Sequence, residues 1–528
     1  MATRMGSLQI QDITLSFLGV GDHITVIHRF SYDKLSQRHF GKSQNDTTAS
    51  IVRQAEESAV SYWGRFVTRA MTSPLLSPKL TLAEKLAYGA GDLGPAMTAN
   101  LLTFYQLIFF TDVVNIPAGL ASLVLVIGKV WDAVNDPIVG VMSDRTQSAK
   151  WGRRYPWMLW GAIPFGITFV LQWVHPAMDG MALFWFYVVM GVLFNTAYTA
   201  VNLPYTALTP EMTQDYDERT SLNGFRFTFS IGGSLLSIIL MIIISPMVQD
   251  KGNRYLLASI IIAMLSIASL FWCVMGTKNR TLSNRAVVVY EDEVPFLQQV
   301  KIAFSNRPFL YVIGIYLCSW LALQITATVI PFFVGRYMLL SDGDTNFVVL
   351  AVQGTALLAL SFWSGVSARY GKKATYFAGM GIWLIAQVGL FLLQPGQVML
   401  MYALAVMTGL GVSTAYLIPW SMLPDVIDLD ELQTGQRREG LFYAFMVLLQ
   451  KIGLAVGIFL VGQGLALSGY RGDVKETPVA AILAIRVSVG PLPTVFLIAG
   501  VILAYFYPVT KAYHDEVLLK LADRKNQA

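Results

Sequence analysis

Residues 199–212 read TAVNLPYTALTPEM, and residues 414–427 read TAYLIPWSMLPDVI. In both stretches a proline is followed by an aromatic residue and then by a hydroxyl residue, and a leucine comes two positions later. Similarity of this kind at a long separation is the signature of an internal repeat. The chain is therefore predicted to consist of two related halves.

A second repeated feature is a basic stretch that precedes the repeated sequence in each half. If the two halves are helical bundles, a charged loop of this kind can pair with helix ends of the neighbouring bundle and lock one conformation. The alternative is that the loops only retain positive charge on the cytoplasmic side, and it stays open for the second copy. Six residues are predicted to act as conformational gates: Asp144, Arg145, Arg153, Arg154, Lys372 and Lys373.

The composition indicates a membrane protein. The chain is 55% hydrophobic and 13% charged, whereas soluble domains are roughly 25% charged. Helices that span a bilayer need apolar runs of about 20 residues. Twelve such runs are predicted, at 86–112, 117–142, 156–174, 182–205, 222–246, 255–276, 308–335, 346–366, 374–394, 398–420, 440–466 and 484–507.

Lys and Arg are concentrated in alternate loops, which indicates the orientation of the chain. Because loops rich in Lys and Arg stay in the cytoplasm, both termini are predicted to be cytoplasmic, in a multi-pass protein of the cell (inner) membrane. The net charge of +5 and the sequence pI near 8.9 follow from this loop bias. Nucleic acid is therefore not predicted as a partner.

Two sets of six helices in the same orientation are parallel repeats, the arrangement of the major facilitator fold. The fold class is expected to be an all-α membrane protein with twelve transmembrane helices in two six-helix bundles and the substrate between them. A start at Met71 is an alternative for the N-terminus. The predicted parts are a weakly ordered cytoplasmic extension (1–80), the first bundle (81–276), a central cytoplasmic loop (277–307), the second bundle (308–508) and a cytoplasmic tail (509–528).

Residues 126–144 read VIGKVWDAVNDPIVGVMSD and place two aspartates inside a predicted membrane helix. A carboxylate at the centre of such a helix costs about 2.5–3.5 kcal/mol on insertion scales, so a compensating partner is required. Asp132 and Asp136 share one helix face, with Cβ atoms about 5–6 Å apart. A Na⁺ ion or a proton beside them would relieve their repulsion. Asn135 adds a neutral oxygen to this predicted cation site.

The alternative for the two aspartates is a structural salt-bridge cluster. Three basic residues are also predicted within membrane helices, namely Lys129, Arg226 and Lys451. The two interpretations are compatible, because a transporter that alternates between conformations needs charges that exchange partners.

Five motifs together resemble the glycoside-pentoside-hexuronide:cation symporter family of the major facilitator superfamily. The resemblance implies coupling to Na⁺, Li⁺ or H⁺ through Asp132 and Asp136, with help from the hydroxyl of Thr199. It also implies that Lys451 lies beside the cation site and that Arg226 lies at the sugar cavity. The motifs are WDAVNDP, YTAVNLPY, DERTSLNGFR, DVIDLDE and LLQKIG.

The expected substrate site departs from the family pattern. Two acids that bind sugar hydroxyls in that family correspond to Ala96 and Asn202 here, and only Asn202 can still bind a hydroxyl. Tyr205 and Trp420 are candidates for stacking on a sugar ring, although core packing is the alternative. Two basic residues in the set favour an anionic substrate. The predicted substrate-binding residues are Asn202, Tyr205, Arg226, Trp420 and Lys451.

The predicted function is symport of a sugar, glycoside or uronide with Na⁺ or H⁺ by alternating access. The chain is expected to act as a monomer in the lipid bilayer, with no cofactor besides the coupling ion. An enzyme is not predicted, because the sequence offers neither a membrane Ser/His pair nor an H-E-x-x-H motif. Two alternatives are a symporter of a lysophospholipid or other non-sugar substrate, and a non-transporting receptor or scaffold.

Overall fold

A computed structural model describes part of residues 6–27, and residues 79–527 except 149, 214, 284–295 and 475. The N-terminal extension is predicted to be weakly ordered, and most of it, residues 28–78, lies outside the described residues. The extension also contains an antiparallel sheet that the sequence patterns did not predict. Its strands, in the order β1-β2-β3, are β1 (Gly6–Ile10), β2 (Ile13–Val20) and β3 (His23–Ile27).

From residue 79 onward, the regular secondary structure of the described residues is helical. The first half contains α1 (Leu82–Ala90), α2 (Leu93–Ile108), α3 (Ala118–Arg145), α4 (Tyr155–Leu171), α5 (Gly180–Thr206), α6 (Thr209–Met212), α7 (Tyr216–Met247) and α8 (Lys251–Ser283). The second half contains α9 (Phe296–Ser305), α10 (Arg307–Phe332), α11 (Asp342–Tyr370), α12 (Lys372–Leu392), α13 (Val398–Thr434), α14 (Glu439–Leu467), α15 (Val479–Val489), α16 (Pro491–Phe506) and α17 (Lys511–Gln527). π-Helical segments at Phe109–Val113 and Phe333–Tyr337 continue α2 and α10.

These helices confirm the predicted fold class. Among the described residues, eleven helical spans are long and apolar enough to cross a membrane, and the shorter apolar helix α4 supplies the twelfth. Several features differ from the predicted runs, and three of them matter most. α13 continues to Thr434, beyond the predicted end at residue 420; the central connector contains α9; and the C-terminal tail forms α17.

Local side-chain contacts explain where several spans begin. At the start of α1, Glu84 N donates to Thr81 Oγ1 at 3.2 Å and Thr81 N donates to Glu84 Oε2 at 2.7 Å. Ser341 and Asp344 form the same reciprocal pair at the start of α11. Such capping boxes satisfy backbone N–H groups that have no partner within the helix.

The shortest span, α4, has 17 residues. Its second residue is Pro156, which fits the first helical turn because the N–H that proline lacks has no helical partner there. Trp160 on this helix is 82% exposed. In a protein that spans a bilayer, such a side chain contacts lipid.

Among the described residues, the two halves meet mainly through three helix pairs: α2 with α10, α3 with α14, and α7 with α11. The contact between α3 and α14 is very close at Gly462, where an added Cβ would lie 2.2 Å from the Cβ of Ser122. Glycine is therefore required there. We refer to the end of the bundle with the start of α1 and the end of α16 as the terminal end, and to the end with the π-helical segments as the opposite end.

Candidate cation and substrate sites

The two aspartates of α3 converge on a hydroxyl of α5. Asp132 is buried and Asp136 is partly exposed. Thr199 Oγ1 lies 3.0 Å from Oδ1 of Asp132 and 3.0 Å from Oδ1 of Asp136. A hydroxyl has one proton, so Thr199 shares it between two acceptors. Three of the four residues predicted for the cation site are thus in direct contact.

The second half supplies the positive charge of this cluster. Lys451 of α14 places its Nζ 2.9 Å from Asp132 Oδ2, and the same ammonium forms an ion pair with Asp136. The cluster therefore joins the halves, and it leaves two carboxylates for one ammonium. Lys451, which the sequence placed beside the cation site, contacts both acids of that site directly.

The other two basic residues predicted within membrane helices make their direct contacts elsewhere. Lys129 Nζ donates to Asn195 Oδ1 at 3.3 Å, and Arg226 pairs with a different acid, Asp92. Of the salt-bridge cluster considered from the sequence, the structure thus contains the part made by Lys451.

Asn135 lies on α3 between the two aspartates and is 4% exposed. Its Nδ2 atom has no hydrogen-bond partner in the described part of the chain. An amide can offer a cation only its oxygen. The role of Asn135 as a further ligand stays a prediction.

A second ion pair lies within the first half. Arg226 Nε of α7 lies 3.2 Å from Oδ2 of Asp92, which stands at the break between α1 and α2. A carboxylate at membrane depth requires a partner, and here the charges of Asp92 and Arg226 compensate each other. Asp92 was not predicted from the sequence, although it is a lone acid in the apolar run AYGAGDLG.

Tyr205 supports this pair. Its ring stacks on Tyr88 with centroids 5.2 Å apart, and the Arg226 guanidinium lies over it at 5.8 Å. Tyr205 is fully buried, and its hydroxyl donates to Tyr88 O at 2.9 Å. Its ring is enclosed by the protein in this conformation, so stacking on a substrate stays a prediction.

Asn202 and Trp420, two of the predicted substrate-binding residues, are both partly exposed. Asn202 is partly exposed, and its Oδ1 atom has no hydrogen-bond partner among the described residues. Trp420 belongs to an aromatic cluster of the second half, stacked on Tyr443 at 6.1 Å and in edge contact with Tyr316 at 5.8 Å. Whether either residue contacts a substrate stays a prediction.

The predicted gate residues of the first half make ion pairs within that half. Arg154 Nη2 lies 2.5 Å from Asp144 Oδ1, and Arg153 Nη2 lies 2.7 Å from Oε1 of Glu211, the acid of α6. In this conformation the loop after α3 lies against α6 of the same half, and pairing with helix ends of the neighbouring bundle stays a prediction. Arg145 is exposed at the end of α3.

The second half repeats this arrangement. Lys372 Nζ lies 2.7 Å from Asp425 Oδ1, and Lys373 Nζ donates to the backbone O of Tyr505 at 2.5 Å and of Tyr507 at 3.3 Å. All these partners are in the second half. Glu211 and Asp425 were not singled out from the sequence, although each follows a proline near the end of a repeated stretch, in TPEM and LPDV.

At the opposite end, ion pairs join the two halves. Arg336 Nη2 lies 2.6 Å from Asp112 Oδ2, and Arg254 Nη1 lies 2.6 Å from Asp342 Oδ2. Hydrogen bonds between uncharged side chains continue the contact between the halves toward the middle of the bundle. They include Tyr105 to Asn346 at 2.7 Å, Gln353 to Asn100 at 2.6 Å and Gln463 to Ser122 at 3.1 Å.

Residues 87–511 match the sequence profile of a family described as MFS/sugar transport protein. The chain belongs to this family. Membership in the MFS/sugar transport protein family confirms the resemblance drawn from the motifs. It also confirms that the chain is a multi-pass transport protein of the major facilitator superfamily and not an enzyme.

The names of the relatives of this MFS/sugar transport protein differ in whether they give a cargo. An uncharacterized symporter of Synechocystis sp. is 45% identical over 540 residues, which cover 86% of this chain and 99% of the relative. A sodium-dependent lysophosphatidylcholine symporter 1 of Xenopus tropicalis is 26% identical, with 85% of this chain and 92% of the relative covered. Family membership therefore leaves the cargo unspecified.

Solved structures support the fold. The crystal structure of the nucleoside transporter NupG is similar to 81% of this chain and 98% of NupG, with a TM-score of 0.57 and 12% sequence identity. At this identity the similarity concerns the major facilitator fold alone.

Proposed function

We propose that the chain is a cation-coupled secondary transporter that moves a sugar, glycoside or uronide with Na⁺ or H⁺ by alternating access. The observation that carries the proposal is the cluster in which Lys451 of one half pairs with both Asp132 and Asp136 of the other. The description of the family as sugar transport supports the cargo, and the relative named a symporter supports the coupling.

The charge of the cluster explains how an ion is coupled to movement of the halves. Two carboxylates exceed one ammonium by one negative charge, and a cation competes with Lys451 for the same oxygens. The residues fit such an ion, since Thr199 Oγ1 lies within hydrogen-bond distance of Oδ1 of Asp132 and of Oδ1 of Asp136, which brings three oxygens together. When an ion or proton neutralises the acids, Lys451 is released and a link between the halves is lost.

The exposure of the charged side chains indicates the conformation. Asp136, Lys451 and Arg226 are 28%, 20% and 26% exposed, and charged groups at membrane depth face water-filled cavities rather than lipid. Because ion pairs join the halves at the opposite end, we infer that the cavity opens toward the terminal end. With both termini in the cytoplasm of the cell, this conformation is inward-facing. The cargo then lies between Arg226, Asn202 and Trp420.

A lysophospholipid is the second candidate cargo. The relative named as a lysophosphatidylcholine symporter supports it, and the partly exposed guanidinium of Arg226 could bind a phosphate as it would a carboxylate. Such a cargo also needs an apolar route for its acyl chain.

The test is uptake into proteoliposomes that contain the full chain. Labelled neutral glycosides, pentosides, hexuronides and one lysophospholipid are offered under an imposed Na⁺ or H⁺ gradient. Accumulation of a sugar or uronide that collapses with one gradient supports the proposal and identifies the ion. Accumulation of the lysophospholipid alone would identify it as the cargo in place of a sugar. No uptake under either gradient would overturn symport in favour of a receptor or scaffold.

A further inference from the structure

The opposite end of the bundle contains a repeated backbone feature. The first π-helical segment, Phe109–Val113, continues α2, and the second, Phe333–Tyr337, continues α10. Positions in the second segment follow the matching positions in the first by 224 residues, the separation of Asp112 and Arg336. π-Helical turns are rare and frequently mark functional sites. The two segments are equivalent parts of the internal repeat.

The residue two positions after each π-helical segment has the same left-handed backbone conformation. Asn115 and Leu339, which follow the segments at equivalent positions, have φ angles of 63° and 57°. A leucine in this left-handed region is uncommon and needs support from its surroundings. The closing backbone hydrogen bonds also match: Val114 N to Phe109 O at 3.0 Å with Met338 N to Phe333 O at 2.9 Å, and Ile116 N to Phe110 O at 2.8 Å with Leu340 N to Val334 O at 3.1 Å.

An ion pair connects the two equivalent segments. Arg336 donates to Asp112 Oδ2 through Nε at 3.0 Å and through Nη2 at 2.6 Å. The side chain of Asp112 is 7% exposed, and its Oδ1 accepts from the hydroxyl of Tyr470 at 2.7 Å. Arg336 also donates to the backbone O of Gly472 at 2.8 Å. Each charge is therefore held by two kinds of partner, and the carboxylate of Asp112 is shielded from water.

We propose that Asp112 and Arg336 form a latch that holds the opposite end closed and must open in each transport cycle. Residues at equivalent positions of two related halves can contact each other only next to the axis that relates the halves, as at a two-fold interface. When the halves rock about the midplane, a contact at the far end of this axis separates. The latch rests on the alternating access proposed above, but its test needs neither cargo nor ion gradient.

A neighbouring pair between the halves is weaker. Arg254 and Asp342 also join the halves at this end; the side chain of Arg254 is 9% exposed, but that of the acid, Asp342, is 40% exposed, against 7% for Asp112. Exposed ion pairs contribute little, whereas loss of one partner from a shielded pair leaves a charge without compensation. Removing either charge of the latch should thus open the end even with the neighbouring pair intact.

The experiment measures exposure of a buried position between the halves. Ser122 of α3 is 0% exposed and contacts Gln463 of α14. The full chain with Ser122→Cys, in nanodiscs, is treated with a membrane-impermeant thiol reagent, and modification is followed peptide by peptide. The native Cys273, 0% exposed within the first half, reports unfolding. Nanodiscs expose both ends, so no orientation is assumed.

Asp112→Asn and Arg336→Gln are each expected to raise the labelling rate at position 122 at least about fivefold, with Cys273 unmodified. The control is Lys520→Gln, which breaks the exposed Lys520–Glu516 pair of α17, away from the latch, and should change the rate less than about twofold. Labelling of both latch variants at the rate of the control would overturn the proposal.

A charge exchange keeps the test decisive if the single variants unfold and Cys273 is modified. Because the two positions are equivalent, Asp112→Arg combined with Arg336→Asp rebuilds the pair with reversed direction. Labelling at position 122 close to that of the unmodified latch, with Cys273 protected, supports it. Fast labelling at position 122 in this protein with Cys273 still protected contradicts it.

Discussion

The two charged junctions between the halves differ in their charge balance. At the midplane, Asp132 and Asp136 face one ammonium from Lys451. At the opposite end, Asp112 faces one guanidinium, with neutral groups around both charges. An unbalanced junction has affinity for another cation, whereas a balanced junction can only close or open. The comparison separates a site suited to bind an ion from a contact suited to hold a conformation.

Balancing the midplane junction should have the largest effect. In Asp136→Asn, one carboxylate faces one ammonium, so the cluster loses the negative charge that attracts an ion. We expect gradient-driven accumulation to fall at least about a hundredfold while exchange of cargo persists in part. Uptake and counterflow in proteoliposomes measure the two activities. Normal accumulation in this variant would eliminate the site, and Asp473→Asn in an exposed loop serves as its control.

Removing the ammonium should unbalance the same junction further. Lys451→Met removes the ammonium that contacts both acids, and loss of one partner from a buried ion pair costs at most about 3–5 kcal/mol of stability. Na⁺ should recover part of this loss, because a ligand that binds only the folded state stabilises it. Apparent Tm in NaCl and in choline chloride of equal ionic strength measures the recovery. An equal Tm in both salts would point to proton coupling or to a purely structural cluster.

The shared hydroxyl should make a smaller contribution. Thr199→Val keeps the side-chain shape and removes the bond to both carboxylates, and loss of a hydrogen bond to charged groups costs roughly 1.5–3 kcal/mol. We expect at least about a tenfold weaker apparent affinity for the coupling ion. Thr199→Ser retains the hydroxyl and should stay within about threefold of the parent. Equal affinities for the valine and serine variants would remove Thr199 from the site.

The pairs within one half should have the smallest effect. Arg153→Gln leaves Glu211 paired with Arg154, and partly exposed ion pairs contribute about 0.2–1 kcal/mol. We therefore expect a small drop in Tm and transport close to the parent. A large loss of transport with unchanged Tm would instead assign Arg153 to gating.

Much of the scaffold follows from the sequence because membrane helices carry a simple signal. The length of each apolar run predicts a span, and the spacing of Asp132 and Asp136 predicts a shared face. Hydropathy indicates where the membrane ends but not where a helix ends. α13 therefore extends through a charged stretch until Gly435, whose φ of 73° closes the helix.

The partners of the charges were much harder to predict. Asp92 and Arg226 are 134 residues apart in the chain, and only the packing of α7 against the α1–α2 break brings them together. Glu211 and Asp425 required the same three-dimensional information. The π-helical segments have no hydropathy signal, since they differ from α-helix only in backbone hydrogen bonding.

The length of α4 has a consequence for the surrounding lipid. At 1.5 Å per residue, its 17 residues span about 26 Å, less than the roughly 30 Å hydrocarbon thickness of a typical bilayer. Hydrophobic mismatch of this kind is relieved by local thinning of the bilayer, at a cost that grows with each ångström. The protein should therefore prefer lipids with shorter acyl chains around α4, and membrane thickness becomes a variable that tunes its stability.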